Sequence, residues 1–264
     1  MKNQIHRFSK ALWAITLCLS IFACSDDLDG LNNPDEQFTS AEVKTVLEAN
    51  ELSGLTDGLL TDIFSDDQSS KRAKNTDCHQ TETSDSTTII TFSDCIVDGS
   101  DPINGTITAN YNIGEASTTI SVTYTDFTIG NIAISGTKAF TFANEGEQEG
   151  FEFTIVSDMQ VIMGDGQVLS EKGTKIIGFV FNSFENQYVT LDGEWTVTSD
   201  GNTYTAMVEN QLKKIVPCEF TGEGLLFLSK NGLSVSVDFG DGSCDDIASV
   251  IYPDGTTEEI TIKN

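Results

Sequence analysis

Glu194-Trp195-Thr196-Val197-Thr198-Ser199-Asp200-Gly201-Asn202-Thr203-Tyr204-Thr205-Ala206 alternates apolar and hydroxyl-bearing side chains on both sides of an Asp-Gly pair. Asp-Gly supplies the two positive-φ residues that a type I′ turn requires, so the chain folds back on itself there. With Asp200-Gly201 as a two-residue loop, Val197 falls opposite Tyr204 and Trp195 opposite Ala206, while Thr198 meets Thr203 and Thr196 meets Thr205. One face of the hairpin is apolar and the other is hydroxyl. That is the pattern of a half-buried antiparallel sheet, and it makes Trp195 a core residue rather than a sugar platform.

The same test works outward from this hairpin. Folding at Asn231-Gly232 sets Leu228 against Val235 and Leu226 against Val237, with Phe227 opposite Ser236 on the reverse face as the better candidate for an exposed aromatic. A two-residue fold at Asp254-Gly255 puts Ile247, Ile251, Ile260 and Ile262 on one face. Phe151, Phe153, Ile155, Met159, Val161 and Met163 are all odd-numbered and describe one long strand with a continuous apolar edge. Gly105, Gly136, Gly193 and Gly222 each follow an apolar residue and a spacer. They read as bends or bulges where strands turn from one sheet to the next.

The fold class is therefore all-β: an antiparallel, hairpin-rich meander over residues 87–264, forming a sandwich or a barrel-like body, since about a dozen alternating strands need two facing layers or closure. A transmembrane barrel also alternates, but threonine-rich reverse faces argue for water on that side. Ahead of the β-domain, residues 38–86 read as short helices and a loop. Thr39 and Glu42 have capping-box spacing before Val43, Val46 and Leu47, and a second helix carries Leu55, Leu59, Leu60, Ile63 and Phe64. Residues 65–86 lose periodicity and read as an exposed loop.

Residues 1–23 carry Lys2, Arg7 and Lys10, no acid, and an apolar run from Ala11 that is too short for a stable membrane span, which makes them a signal peptide. The run ends at Ile21-Phe22-Ala23-Cys24, which resembles a bacterial lipobox with Cys24 as the lipidated residue. Anchoring then comes from acyl chains such as palmitate. Residues 24–37 form an acidic tether, and Ser25-Asp26-Asp27 at its start looks like the surface-export signal of Bacteroidetes lipoproteins, implying an outer-membrane location facing the cell exterior.

A net charge of -27 excludes nucleic-acid partners. Two histidines, His6 and His79, leave one outside the signal peptide, too few for a multi-histidine metal centre, and no Gly-x-Ser-x-Gly elbow accompanies it. Cys78, Cys95, Cys218 and Cys244 imply two disulfides in an exported protein; of the three connectivities, Cys78 with Cys95 and Cys218 with Cys244 is the most local. No Cys-x-x-Cys supports zinc. Asp238-Phe239-Gly240-Asp241-Gly242-Ser243-Cys244-Asp245-Asp246 is the most acidic run. Its spacing misses an EF-hand loop, and it reads as a disulfide-pinned polar turn, with a loose Ca²⁺ site at Asp238, Asp241, Asp245 and Asp246 as the competing reading. No cofactor is otherwise implied. Asp94, Asp98 and Asp101 form a similar, weaker cluster explained by turn chemistry.

Phe92-Ser93-Asp94-Cys95, Asn104-Gly105-Thr106-Ile107, Ile134-Ser135-Gly136-Thr137 and Val237 to Asp245 together resemble a Bacteroidetes-type outer-membrane lipoprotein family of unknown function. The resemblance implies a lipid signal, a short helical lead and an antiparallel β-body, and carries no catalytic residue. The expected function is a non-catalytic binding or structural role at the cell surface, with membrane contact through the N-terminal lipid and an envelope protein or glycan as partner. The alternative is a glycan hydrolase using paired carboxylates, or a glycan-binding accessory lipoprotein.

Overall fold

The computed structural model describes residues 37–69, 78–96, 100–143, 150–181 and 187–262. One helix, α1 (Ser40–Ser69), precedes thirteen strands. These are β1 (His79–Ser84), β2 (Thr87–Cys95), β3 (Ile103–Ile113), β4 (Ser117–Ile129), β5 (Ile132–Ala143), β6 (Gly150–Ile162), β7 (Val168–Phe181), β8 (Gln187–Ser199), β9 (Asn202–Ile215), β10 (Glu223–Lys230), β11 (Leu233–Asp241), β12 (Ile247–Ile251) and β13 (Thr257–Thr261). Each pairs antiparallel with the next, so the order along the single sheet is the order in the chain. The meander that the turn residues call for is present, and it is neither split into two sheets nor closed: β1 pairs with β2 and β13 with β12, leaving both edges open.

Two of the three hairpin registers are as expected. Trp195 lies opposite Ala206 and Val197 opposite Tyr204, and Leu226 and Leu228 face Val237 and Val235. Thr198 and Thr203 share a hydrogen bond of 3.2 Å on the hydroxyl face. The third register is one residue off. Ile251 pairs with Thr257 across a five-residue loop, with Tyr252 N–H donating to Thr256 O and Asp254 Oδ1 accepting from Thr256 N. Ile260 therefore joins Ala248 and Val250 in the core, while Ile247 and Ile251 turn to the other face. A slip of one residue reverses every side chain of a strand.

The helix begins as the capping box requires: Thr39 N–H donates to Glu42 Oε2 and Glu42 N–H to Thr39 Oγ1. It is one helix and not two, because Gly54 in its middle costs only about 1 kcal/mol, less than tertiary packing returns. Val43, Val46, Ala49, Leu59 and Leu60 are buried against the sheet, whereas Leu55 is exposed. Where the sequence reads as loop, the helix continues to Ser69 and β1 forms at His79–Ser84. β1 is polar and exposed along nearly all its length, so it pairs through its main chain and leaves no alternation to read.

The contacts of α1 show that the sheet bends around it. Lys44 Nζ donates to Thr261 on β13, and Tyr124 of β4 donates to Thr56. Twelve residues of helix span about 18 Å. Nine strand spacings in a flat sheet would span about 43 Å, more than those two side chains bridge. The curvature comes from bulges. Gly136, with φ +117°, faces Tyr124 where β4 shifts register, and Gly193, with φ +121°, lies inside the shift between Leu191 and Glu194. The glycines expected to pass the chain between two sheets instead curl one sheet. Gly222 is the exception, because the bulge there falls on Gly224.

A Cβ at Gly136 would overlap the Asp158 carbonyl, whereas Gly54 has open space and ordinary helical backbone. Gly136→Ala is expected to lower unfolding free energy by about 2 kcal/mol or more, and Gly54→Ala to raise it by up to about 1 kcal/mol. Urea titration of the two variants measures both signs.

Candidate functional site

The face of the sheet that looks onto α1 has two parts, a polar centre and an aromatic end. The centre is built from lysines that share the parity of core residues. Lys138 follows Ile134 and Gly136 on β5, Lys175 precedes Ile177 on β7, and Lys230 follows Leu226 and Leu228 on β10, so the pleat turns each inward. All three are buried. Lys138 Nζ lies 2.6 Å from Asp57 of the helix and donates also to the Ser53 carbonyl. Lys175 Nζ lies 2.6 Å from Glu171, whose other oxygen accepts from Ser53 at 3.0 Å and Ser157 at 2.9 Å. Lys230 Nζ lies 2.7 Å from Glu42, which also accepts from Tyr204.

Burial sets the electrostatics. It lowers the Lys175 ammonium pKa against the opposing pull of Glu171, and raises the Asp57 carboxyl despite Lys138. At Glu42 burial pushes upward, but the bonds from Lys230, Thr39 and Tyr204 together outweigh it and hold the carboxyl low. The Tyr204 phenol is pushed up to about 12 by burial and by Glu42. Lys175 sits 4.9 Å above the Trp195 ring, and Trp195 Nε1 has no hydrogen-bond partner among the described residues. Every lysine of the centre is spent on a carboxylate beneath the helix. The arrangement fastens α1 to the sheet and offers no open acid, base or nucleophile to a substrate.

Toward the strand ends at Ala143, Gly150, Phe181 and Gln187 the same face becomes aromatic. Phe142 pairs with Phe153, and Phe151 pairs with Phe179, whose rings stack at 4.6 Å and 15°. Phe181 lies 6.1 Å from Phe151. Phe153, Phe142, Ile120, Tyr111, Ile177 and Leu191 grade into the core, but Phe151 and Phe181 are 50% and 49% exposed and Ile113 is 78% exposed. Contiguous exposed apolar surface of this kind marks a contact site.

Of the residues singled out by sequence, Cys24, Ser25, Asp26 and Asp27 lie outside the described residues. Cys78 bonds to Cys95 and Cys218 to Cys244, the most local connectivity. The first bond spends both sulfurs beside His79, so that trio cannot bind zinc as thiolates. Asp238, Asp241 and Asp245 line one surface cleft. Each makes a local bond, Asp238 to Gly240 N–H, Asp241 to the Ser243 hydroxyl and Asp245 to Ile247 N–H. Asp94, at φ +50° where β2 shifts register against β3, accepts from the Asn104 amide of β3, so it belongs to a bulge between paired strands and not to the turn expected, and Trp195 is buried as expected. The buried lysines and the phenylalanine cluster were missed as a site, although parity along β5, β6 and β7 carries both.

Lys175→Met strands Glu171 in the interior and is expected to cost about 3 to 5 kcal/mol, of which a second change, Glu171→Leu, recovers a large part. Denaturant melts of the single and double variants check this. For the Asp238 to Asp246 turn, melting is expected to be the same in millimolar Ca²⁺ as in chelator. Cys218→Ser lowers stability in both by about 3 kcal/mol, because the loop it closes is freed in the unfolded chain. A calcium-dependent rise that disappears in Asp238→Ala would reinstate the metal site.

No protein-family model, no curated protein and no solved structure gives a significant match to this chain.

Proposed function

We propose that this chain is a non-catalytic binding protein, a Bacteroidetes-type lipoprotein anchored through Cys24 at the outer membrane and facing the cell exterior, whose contact surface is the phenylalanine end of its curved sheet. The observation that carries the binding role is the stack of Phe151 on Phe179, half open to solvent and continuous with the core. Large side chains held by the pleat of paired strands lose little further entropy when a ligand covers them, and removing them from water returns roughly 25 cal/mol per Å². Across β7 and β8 that face pairs Ile177 with Leu191, Phe179 with Val189 and Phe181 with Gln187, a mainly apolar lining with few of the polar groups that orient a sugar, which favours a largely apolar ligand over a glycan. The lipobox and the Ser25-Asp26-Asp27 run support the address.

Two measurements test the reading. Cys24→Ala is expected to move the protein from the membrane fraction to the soluble fraction, and protease added to intact cells to cleave the wild type. Retention in the membrane, or protection until the outer membrane is breached, overturns anchoring or orientation respectively. The fluorescent apolar probe bis-ANS is expected to bind the secreted Cys24→Ala chain, and to lose at least tenfold in affinity with Phe151→Ser/Phe179→Ser. Unchanged probe binding by that variant overturns the contact surface, and turnover of a polysaccharide by the purified chain overturns the non-catalytic role.

A further inference from the structure

The row of side chains that crosses the aromatic end does not stay apolar. Phe151 on β6 pairs with Phe179 on β7, Phe179 with Val189 on β8, and Val189 with Lys214 on β9. Paired residues in an antiparallel sheet point to the same face, so Lys214 stands on the face of the phenylalanines, at the end of their row. Three strand spacings separate Phe151 from Lys214, about 14 Å, and Phe142 on β5 extends the apolar track to about 19 Å.

Lys214 differs from the other lysines that the sheet turns to this face. Lys138, Lys175 and Lys230 are each within 2.7 Å of a carboxylate. Lys213, the neighbour of Lys214, points to the opposite face, where it meets Glu223 at 3.1 Å and lies over the Tyr188 ring. Lys214 is half-buried and makes no ion pair among the described residues. In a chain of net charge -27, a cation that pairs with no carboxylate among the described residues, at the end of an apolar track, is a local reversal of sign. The remaining charge of the chain is screened beyond about 8 Å at physiological ionic strength, so the local group decides what binds there.

We infer that the phenylalanine track and Lys214 form a site for a free long-chain fatty acid, its hydrocarbon lying across Phe142, Phe153, Phe151 and Phe179 and its carboxylate meeting the Lys214 ammonium. The inference rests on the binding role proposed above and names its ligand class. An extended acyl chain matches an aromatic track that runs across strands, and a single carboxylate matches a single ammonium. A neutral lipid, such as an ester or a glyceride, would leave the Lys214 ammonium without an anionic partner. A nucleotide or polyanion would bring more negative charge than one lysine in this acidic chain offsets.

The test uses the secreted Cys24→Ala chain, the fluorescent fatty acid cis-parinaric acid and its methyl ester. The acid is expected to bind saturably at one site. Lys214→Met is expected to weaken the acid at least fivefold and leave the ester within twofold, whereas Phe151→Ser/Phe179→Ser weakens both at least tenfold. Both changes are on partly exposed side chains, and circular dichroism with thermal melting confirms that the variants fold. Equal affinity for acid and ester, or no effect of Lys214→Met, overturns the carboxylate inference and leaves the apolar contact surface standing. Binding of bis-ANS that depends on Phe151 and Phe179, with no binding of either parinaroyl probe, overturns the fatty-acid inference alone. Loss of all probe binding in the parent chain overturns the surface itself. Co-sedimentation with phosphatidylcholine vesicles free of fatty acid, lost in the phenylalanine variant, assigns the surface to a bilayer and likewise overturns the inference.

Discussion

Thirteen strands in one sheet create a single broad apolar face, and one helix is all that the described chain supplies to cover it. Apolar surface left in water costs roughly 25 cal/mol per Å², so the sheet lowers its free energy by bending until α1 touches strands from β4 to β13. The positive-φ glycines at the register shifts make that bend possible, since each bulge adds local twist and turns the strands inward. A sandwich would have divided the same strands into two facing layers. A closed barrel would have needed β1 to meet β13, and the polar, exposed β1 and the paired acids Glu258 and Glu259 of β13 are characteristic of edges that resist pairing.

The centre of the covered face is ionic, which is unusual for a core that depends on burial. Buried pairs return little net stability, because desolvation offsets most of their attraction. Their consequence is positional. Asp57 and Ser53 meet Lys138 and Glu171, and Glu42 meets Lys230 and Tyr204, so the helix has one axial position and one rotation in which each charge is matched. A helix held by apolar contacts alone could slide by a turn at small cost. Glu42 serves twice in this scheme, closing the capping box at the helix start and pairing with the sheet.

Because α1 is fixed over the polar centre, the end of the face beyond it is left with phenylalanines that no described element covers. The helix position and the exposed track are thus two outcomes of the same packing. Phe151 and Phe179, held side by side by paired strands, need little reorganisation to bind.

Local chemistry was legible in the residues themselves. Asp200-Gly201 and Asn231-Gly232 set their hairpin registers, Thr39 and Glu42 set the helix start, and alternation from Thr87 onward set the class, because turn geometry, capping and pleat act over a few residues. The Tyr252 to Thr256 loop was not legible, since Asp254-Gly255 also suits a longer turn and the choice moved Ile247 and Ile251 to the opposite face. Nor was β1, which has no apolar pattern. The site lay between these cases: parity placed Lys138, Lys175 and the phenylalanines on the inner face, but not which of them the helix would cover. The sequence by itself determined the strands, turns and faces from β2 to β11, where alternation and two-residue turns act locally. Only the tertiary structure decided that one sheet would curl and where α1 would rest, because curvature sums bulges far apart in the chain and the helix is positioned by charges up to 188 residues away.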